Sequence, residues 1–343
     1  MGRMAILFDR KPGASLTPIK GIYTALAIFL PFIILSAAGY GALGGAAMIG
    51  ALLTAFTDIN IPNLRTRASI LGLATVGGAV MMMLGRLGDG PWWFEELEVF
   101  LVVLAGGLLA AYSANIAALG LLLTITFVIS LSSGGDASTA LSSGGGYFLG
   151  GVILMLFALG CAFLSLKRHP CSNETLPTRN PHPSAPQLAL TWPLSLYSLL
   201  RAIGTAGAIA ISVFLGGTYP YWAALPVIIC SNQDRDTSQT MAFQYAVATC
   251  FGALLAGAFV ILVQPLSLIV LMIVAVTFLA FTMKDLNYTF QIFFLTILTL
   301  LLLSLVGTGQ SFATWRVIAI LIGVGIVLVM LALNQALLRI SHT

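Results

Sequence analysis

The sequence predicts an all-α integral membrane protein of about twelve transmembrane helices, arranged as two parallel six-helix repeats with both termini in the cytoplasm. Composition is the first observation behind this fold. Of the 343 residues, 59% are hydrophobic and only 8% are charged, against roughly a quarter charged in an ordinary soluble domain. The distribution of basic residues and an internal similarity are the other two.

Hydropathy, charges and helix-breaking residues divide the chain into twelve apolar segments. We expect helices at about 20–38, 40–57, 66–87, 94–112, 114–131, 146–166, 193–216, 218–231, 238–262, 265–283, 287–305 and 313–338. The first segment follows a basic lead, as a signal peptide would. Because its length is close to that of a full span of roughly 20 residues, we expect a retained helix.

Basic residues orient the predicted bundle. With a cytoplasmic N-terminus, all Lys and Arg residues except Arg86 and Arg316 fall on or near the inner side, as is typical of cytoplasmic loops. The outer side receives acidic residues: Asp89, Glu95, Glu96, Glu98 and Asp136. Membrane orientation thus explains the net charge of +4, and we expect no nucleic-acid partner. The pattern predicts a multi-pass protein of the bacterial cell inner membrane.

A polar, proline-rich stretch separates two similar halves. Residues 1–166 are predicted to form the first repeat, 167–192 a cytoplasmic linker, and 193–343 the second repeat. The stretch "TRASILGLATVGGA" at 66–79 aligns with "TMAFQYAVATCFGA" at 240–253. At nearly the same offset, "NIAALGLLLTI" at 115–125 aligns with "NYTFQIFFLTI" at 287–297. Six spans separate the copies, so the repeats are predicted to be parallel.

The eighth segment is too short to cross a membrane as a helix. Its run of about 14 residues rises ~21 Å, less than a hydrocarbon core of ~30 Å, and it contains Pro220 and Pro226. Its counterpart, 39–67, is interrupted by glycines and ends in a polar turn. Short or broken helices at matching positions of two repeats indicate a transport site. We therefore predict a polar cavity in which one group of residues faces another across the repeats. The groups are Asn232, Asp234, Arg235, Asp236, Gln239, Thr240 and Gln244, and Asp58, Asn60, Arg65 and Arg67.

Other interpretations of these residues stay open. The charged residues fit a solvated cytoplasmic loop, and the polar residues of the ninth segment fit hydrogen bonds between packed helices. Arg201, some nine residues into a span, suggests a function unless it snorkels to the inner surface. Asn287 and Tyr288, at an inner turn, fit either a topology signal or a substrate contact, and Phe243 and Tyr245 could stack on an aromatic ring.

The sequence shows no catalytic or metal-binding pattern, so we expect neither an enzyme nor a cofactor. The four cysteines form no CxxC pair, which argues against a metal site or a disulfide framework. The glycine-rich stretch 132–146 lacks the lysine and the preceding strand of a phosphate loop, and we predict an outer loop there. Active transport would therefore draw on an ion gradient.

Four stretches of the second half resemble a known family. They are "YPYWAALPVIICS" at 219–231, "ATCFGALLAG" at 248–257, "NYTFQIFFLTILTLLL" at 287–302 and "WRVIAILIGVGI" at 315–326. They are similar to the membrane domain of the fusaric acid resistance or aromatic acid exporter family, which distantly resembles plant aluminium-activated malate channels. The motif positions are Tyr221, Trp222, Thr249, Gly252, Asn287, Tyr288, Thr296 and Arg316. We expect only the short linker after the first repeat where these exporters typically carry a large cytoplasmic domain.

The resemblance implies export of small organic, above all aromatic, carboxylate anions. Taken with the predicted repeats, it suggests a drug-resistance type of efflux driven by the proton-motive force, with alternating access between the halves. A periplasmic membrane-fusion protein and a second copy of the chain, forming a homodimer, are the expected protein partners. A passive anion channel and a non-transporting membrane subunit of an envelope or secretion complex are the alternatives.

Overall fold

The computed structural model describes residues 16–58, 63–88, 90–131, 134–168, 191–217, 219–232, 234–262, 265–306 and 311–340. All regular elements of these residues are helical. The α-helices are α1 (Pro18–Ala37), α2 (Gly41–Thr57), α3 (Leu64–Leu87), α4 (Trp92–Leu108), α5 (Ala114–Leu131), α6 (Ala137–Arg168), α7 (Trp192–Phe214), α8 (Ala224–Cys230), α9 (Arg235–Leu262), α10 (Leu266–Thr282), α11 (Tyr288–Val306) and α12 (Ser311–Ile340). Each corresponds to one apolar segment of the sequence.

Most of these helices have the length and hydropathy of membrane spans. Within the described residues, seven are long and apolar enough to cross a bilayer: α1, α3, α5, α6, α7, α9 and α12. The apolar helices α2, α8, α10 and α11 are shorter. Large apolar side chains such as Phe214 (89% exposed) and Leu262 (77%) face outward, as lipid-facing residues do. The protein is a multi-pass, all-helical membrane protein.

The sixth helix begins earlier than the sequence analysis predicts, so the predicted outer loop at 132–146 is wrong for its second part. Asp136 precedes α6, and its Oδ1 atom accepts hydrogen bonds from the Thr139 backbone N–H (2.9 Å) and the Thr139 hydroxyl (2.6 Å). The backbone bond satisfies an orphan donor of the first turn. The glycines then let helices approach, since a Cβ on Gly150 would overlap the Ala47 carbonyl oxygen of α2. Glycine here serves close helix packing.

The packing partners in the first six helices recur in the last six. In the first half, α6 packs on α1, α2 and α3, and α5 packs on α3 and α4. In the second half, α12 packs on α7, α8 and α9, and α11 packs on α9 and α10. The turn after the first helix of each half contains a glycine with positive φ, Gly39 (86°) and Gly216 (73°), a conformation that other residues rarely adopt.

The two halves touch through a reciprocal pair of helix contacts. Helix α4 of the first half packs on α7 of the second, and α10 of the second half packs on α1 of the first. A smaller contact joins α5 to α8. The predicted linker lies outside the described residues except for its ends, since α6 ends at Arg168 and α7 begins at Trp192.

Candidate functional site

A buried ion pair occupies the end of α2. The Arg67 guanidinium donates to both carboxylate oxygens of Asp58, from Nε to Oδ1 (2.7 Å) and from Nη2 to Oδ2 (2.9 Å). The Tyr23 hydroxyl of α1 also donates to Asp58 Oδ2. Asp58 is 1% exposed and Arg67 8%. Such a bidentate, charge-assisted pair is geometrically specific, so it locks α1, α2 and α3 together.

Two lysines, Lys284 after α10 and Lys20 of α1, form further polar contacts at this end of the structure. Lys284, just after α10, donates to the carbonyl oxygens of Ala55 (2.9 Å) and Phe56 (2.7 Å) in the last turn of α2, where a cation suits the helix dipole. Lys20 of α1 forms an ion pair with Asp285 (3.2 Å). The α1–α10 contact is therefore closed by paired charges.

Most polar residues after α8 cap the N-terminus of α9 or lie in its first turn. Asp234 Oδ2 accepts a hydrogen bond from the Thr237 backbone N–H (2.8 Å). Hydrogen bonds from the Thr237 side chain and backbone lower the pKa of this exposed carboxyl. The buried Ser238 hydroxyl accepts from the Asn232 N–H (2.8 Å) and donates to the Asn232 carbonyl (3.0 Å). Arg235 and Asp236 are exposed in the first turn of α9.

The predicted site residues of α9 point in two directions. Asp236, Gln239, Thr240 and Phe243 line an open groove of about 460 Å³ between α9 and α12. Gln244 and Tyr245 are buried, at 9% and 3% exposure, and Tyr245 packs in the interior of the second half.

At the turn before α11, Asn287 is buried (2% exposed) and caps that helix. Its Oδ1 atom accepts from the Thr289 (2.7 Å) and Phe290 (3.3 Å) backbone N–H groups. The Tyr288 hydroxyl lies 3.9 Å from Cys230 Sγ.

A cavity of about 270 Å³ lies where α4 and α5 meet α7, α8 and the start of α9. Arg201 of α7 is 5% exposed and lines it. Its Nη2 donates to the Ile228 carbonyl of α8 (2.8 Å), while its Nε has no hydrogen-bond partner among the described residues. No carboxylate of the described residues lies within ion-pair distance of Arg201. Its neighbour Tyr197 donates to the Ser231 carbonyl (2.8 Å), and Asn232 also lines the cavity.

A second buried arginine lies at the opposite end of α8. The Arg316 guanidinium of α12 is stacked 5.0 Å from the centroid of the Trp222 ring and is 5% exposed. Its Nε and Nη1 atoms have no partner among the described residues. The sequence analysis treated Arg316 as a family motif position and left it out of the pathway. Its place only six residues into α12 hid its burial, because an arginine near a helix end usually reaches water.

The structure does not bring the two predicted groups together across one gap. Asp58 and Arg67 are held by α1 beside the α1–α10 contact, whereas Asn232 lies with Arg201 at the α4–α7 side. Arg65 is exposed at the start of α3, and Asn60 lies outside the described residues. Within the described part of the chain, no cluster of His, Cys, Asp and Glu could hold a metal, and Cys161, Cys230 and Cys250 are free.

Comparison with known proteins finds a family match in the second half of the chain. Residues 205–330 match the family model described as fusaric acid resistance protein-like. Neither a curated protein nor a solved structure matches the chain. The matched region runs from within α7 to within α12 and contains α8 and Arg316. The resemblance noted in the sequence is thereby confirmed for residues 205–330, which are similar to the fusaric acid resistance protein-like family.

Proposed function

We propose that the protein exports small organic carboxylate anions, aromatic ones included, across the bacterial inner membrane, driven by the proton-motive force. The family match supports a transport role, and the apolar helices support a membrane location. A periplasmic membrane-fusion protein is the proposed partner for carrying the anion onward.

The observation that carries this proposal is the pair of buried arginines beside α8. Arg201 at its inner end and Arg316 at its outer end are each 5% exposed, and neither has a carboxylate of the described residues within ion-pair distance. A buried charge is costly unless it is paired. Each guanidinium keeps N–H groups without a partner among these residues. A carboxylate passing along α8 would accept those hydrogen bonds.

We further propose that the chain crosses the membrane twelve times and that its halves are parallel repeats with cytoplasmic termini, related by an axis along the membrane normal. The recurrent packing partners and the reciprocal α4–α7 and α1–α10 contacts support this, because a two-fold axis exchanges just such pairs. Two parallel units side by side allow the rocking that alternating access requires.

Transport by the purified protein in proteoliposomes tests the proposal. With [¹⁴C]benzoate at equal concentration on both sides, exchange of protons for benzoate should drive accumulation of benzoate in an acidified lumen, opposite to the passive distribution of benzoic acid, and a protonophore should abolish it. Downhill flux that ignores the pH gradient would replace the exporter by the passive anion channel. If flux is no greater than in protein-free liposomes, the remaining alternative is that the protein is a non-transporting subunit of a membrane complex.

Arg316 supplies the matched variants for that assay. Arg316→Gln removes the charge and should lower the uphill rate at least tenfold, the loss expected when about 1.5–3 kcal/mol of charged hydrogen bonding disappears. Arg316→Lys keeps the charge but not the planar fork and should fall between. Arg65→Gln, at an exposed position, should transport as the unchanged protein does. Equal rates for Arg316→Gln and Arg65→Gln would remove Arg316 from the pathway.

A further inference from the structure

The two contacts between the halves are formed by positions that correspond in the alignment of the two repeats. The alignment that places residue 66 on residue 240 also places Tyr23 on Tyr197, and each tyrosine donates a hydrogen bond to the chain just after a short helix. Tyr23 donates to Asp58 after α2, and Tyr197 donates to the Ser231 carbonyl after α8 (2.8 Å). The same alignment places Asp58 on Asn232. The α1–α10 contact can therefore be compared with the α4–α7 contact position by position.

Large side chains fill the space beside the first of these contacts, between α10 and the end of α2. Phe281 of α10 is 1% exposed, and its ring packs against that of Phe56 with 5.4 Å between centroids. Lys284 reaches across to the last carbonyls of α2. In the first half, the positions aligned with Phe281 and Lys284 hold Gly107 and Ala110.

The second contact is lined by small residues where the first has large ones. Gly106, Gly107, Ala110, Ala117 and Ala118 form one wall of the 270 Å³ cavity. A cation appears on the opposite wall: Arg201 projects from α7, whereas the aligned position of α1 is Ala27. Small residues alone would indicate only close packing. Together with a buried guanidinium that keeps an unbonded Nε, they form a cavity with a positive wall and an apolar wall.

We infer that the Arg201 cavity at the α4–α7 contact is the anion-binding site between the two halves, and that the α1–α10 contact is a permanently closed joint. The inference rests on the anionic cargo of the proposed function. The carboxylate lies on the Nε side of the Arg201 guanidinium, and the apolar body of the anion lies against the glycines of α4, Ala110 and the alanines of α5. A volume below the ~300–1,000 Å³ of drug-sized ligand pockets suits a small monocarboxylate.

The filled contact explains why the predicted residues Asp58 and Arg67 take no part in binding. Their charges already satisfy each other, and a carboxylate entering there would have to displace Asp58 from Arg67. At the α4–α7 contact the residue corresponding to Asp58 is the uncharged Asn232. The α1–α10 contact thus contains a carboxylate of the protein itself. At the α4–α7 contact, the Arg201 cation is available to the carboxylate of a ligand.

Benzoate binding to the detergent-purified full chain, measured by isothermal titration calorimetry, tests the site. Arg201→Gln should weaken binding roughly tenfold or more, and Arg201→Lys should weaken it less. Ala110→Phe should abolish binding because the ring would fill the cavity and leave the Arg201 residue itself in the sequence. Ala110 is half-buried, so the larger side chain is tolerated. The matched control is Ala105→Phe, at an exposed position of α4 outside the cavity, which should bind as the unchanged protein does.

Two results would overturn this site. One is benzoate binding that survives Arg201→Gln and Ala110→Phe, and the other is the absence of millimolar benzoate binding by the unchanged protein. Uphill benzoate flux by the unchanged protein decides the exporter proposal separately. If the unchanged protein shows uphill flux and both cavity variants bind benzoate normally, the exporter proposal stands and the Arg201 site is rejected. Binding that depends on Arg201 without uphill flux would keep the site and remove the exporter.

Discussion

At the scale of single residues, what separates Arg67 from Arg201 is the presence of a partner. Both are buried arginines near the predicted inner side, but Arg67 donates two hydrogen bonds to Asp58, and Arg201 bonds a backbone carbonyl and keeps an unbonded Nε. The first arrangement rigidifies the protein, and the second is able to bind an anion.

Removing one member of the Asp58–Arg67 pair should destabilise the protein strongly. Asp58→Asn or Arg67→Gln leaves the other charge buried and unpaired, which typically costs about 3–5 kcal/mol. We expect the thermal midpoint of the detergent-purified protein, followed by intrinsic tryptophan fluorescence, to fall clearly for each single variant.

The double variant Asp58→Leu/Arg67→Met tests whether Asp58 and Arg67 only stabilise the protein as an ion pair or also take part in substrate binding. Because apolar residues replace both charges, it should lose less stability than the two single variants together, and it should still bind benzoate. A double variant that folds but no longer binds would return Asp58 and Arg67 to the substrate pathway.

Sequence reasoning at this scale identified Arg201 from its depth in a span but could not tell that Asp58 and Arg67 pair. The two lie on either side of the turn between α2 and α3, and their contact depends on how that turn folds. Arg316 escaped because its burial comes from Trp222 and Tyr245, which are distant in sequence. Partners brought by tertiary packing leave no local pattern.

At the scale of helices, hydropathy predicted where each helix runs better than where it begins. The segments of the sequence analysis correspond to α1–α12, and the short eighth segment is a 3₁₀ turn, Pro220–Trp222, followed by the seven-residue α8. The start of α6 was missed because its glycines and serines are typical of a loop. In this protein Gly144, Gly146, Gly150 and Gly151 lie on the face against which α2 and α3 pack.

The glycine face of α6 yields a prediction with an internal control. Gly150→Leu would drive a side chain into the Ala47 carbonyl, which even a Cβ would overlap, so α2 and α6 would have to separate. At Gly145, on the same helix, a Cβ would have no other atom within 4 Å. Gly150→Leu should abolish the monodisperse peak in size-exclusion chromatography of the detergent-solubilised protein, whereas Gly145→Leu should preserve it.

A monodisperse Gly150→Leu protein with an unchanged thermal midpoint would contradict this account of α6. The close approach of α2 and α6 at Gly150 would then be dispensable, and the small residues would have no role in packing α6 on α2.

At the scale of the whole molecule, the sequence predicted two similar halves and a polar gap between them, but assigned residues of both contacts to a single gap. If the two repeats enclosed a single gap, corresponding residues of the repeats would face each other across it. The structure instead places them at separate contacts, Asp58 near α10 and Asn232 near α4 and α5. Sequence alone cannot show which contact is filled, because that depends on Phe281 and Lys284 reaching across from a distant helix.

The central claim is that the α4–α7 contact carries the anion and the α1–α10 contact stays closed. Cysteine pairs can lock each contact in a chain whose four native cysteines are replaced by alanine. At α4–α7 the pair is Gly107→Cys with Ser198→Cys, because a Cβ on Gly107 lies 3.0 Å from Ser198 Cβ. At α1–α10 it is Thr17→Cys with Thr282→Cys, because the Thr17 N–H donates to the Thr282 carbonyl oxygen across this contact (3.2 Å).

Uphill benzoate flux in proteoliposomes, before and after oxidation and again after reduction, is the most direct measurement. We predict that the oxidised Gly107/Ser198 pair stops flux and that a reductant restores it, whereas the oxidised Thr17/Thr282 pair leaves flux unchanged. Flux that continues through a locked α4–α7 contact, or that stops only when α1–α10 is locked, would contradict the account.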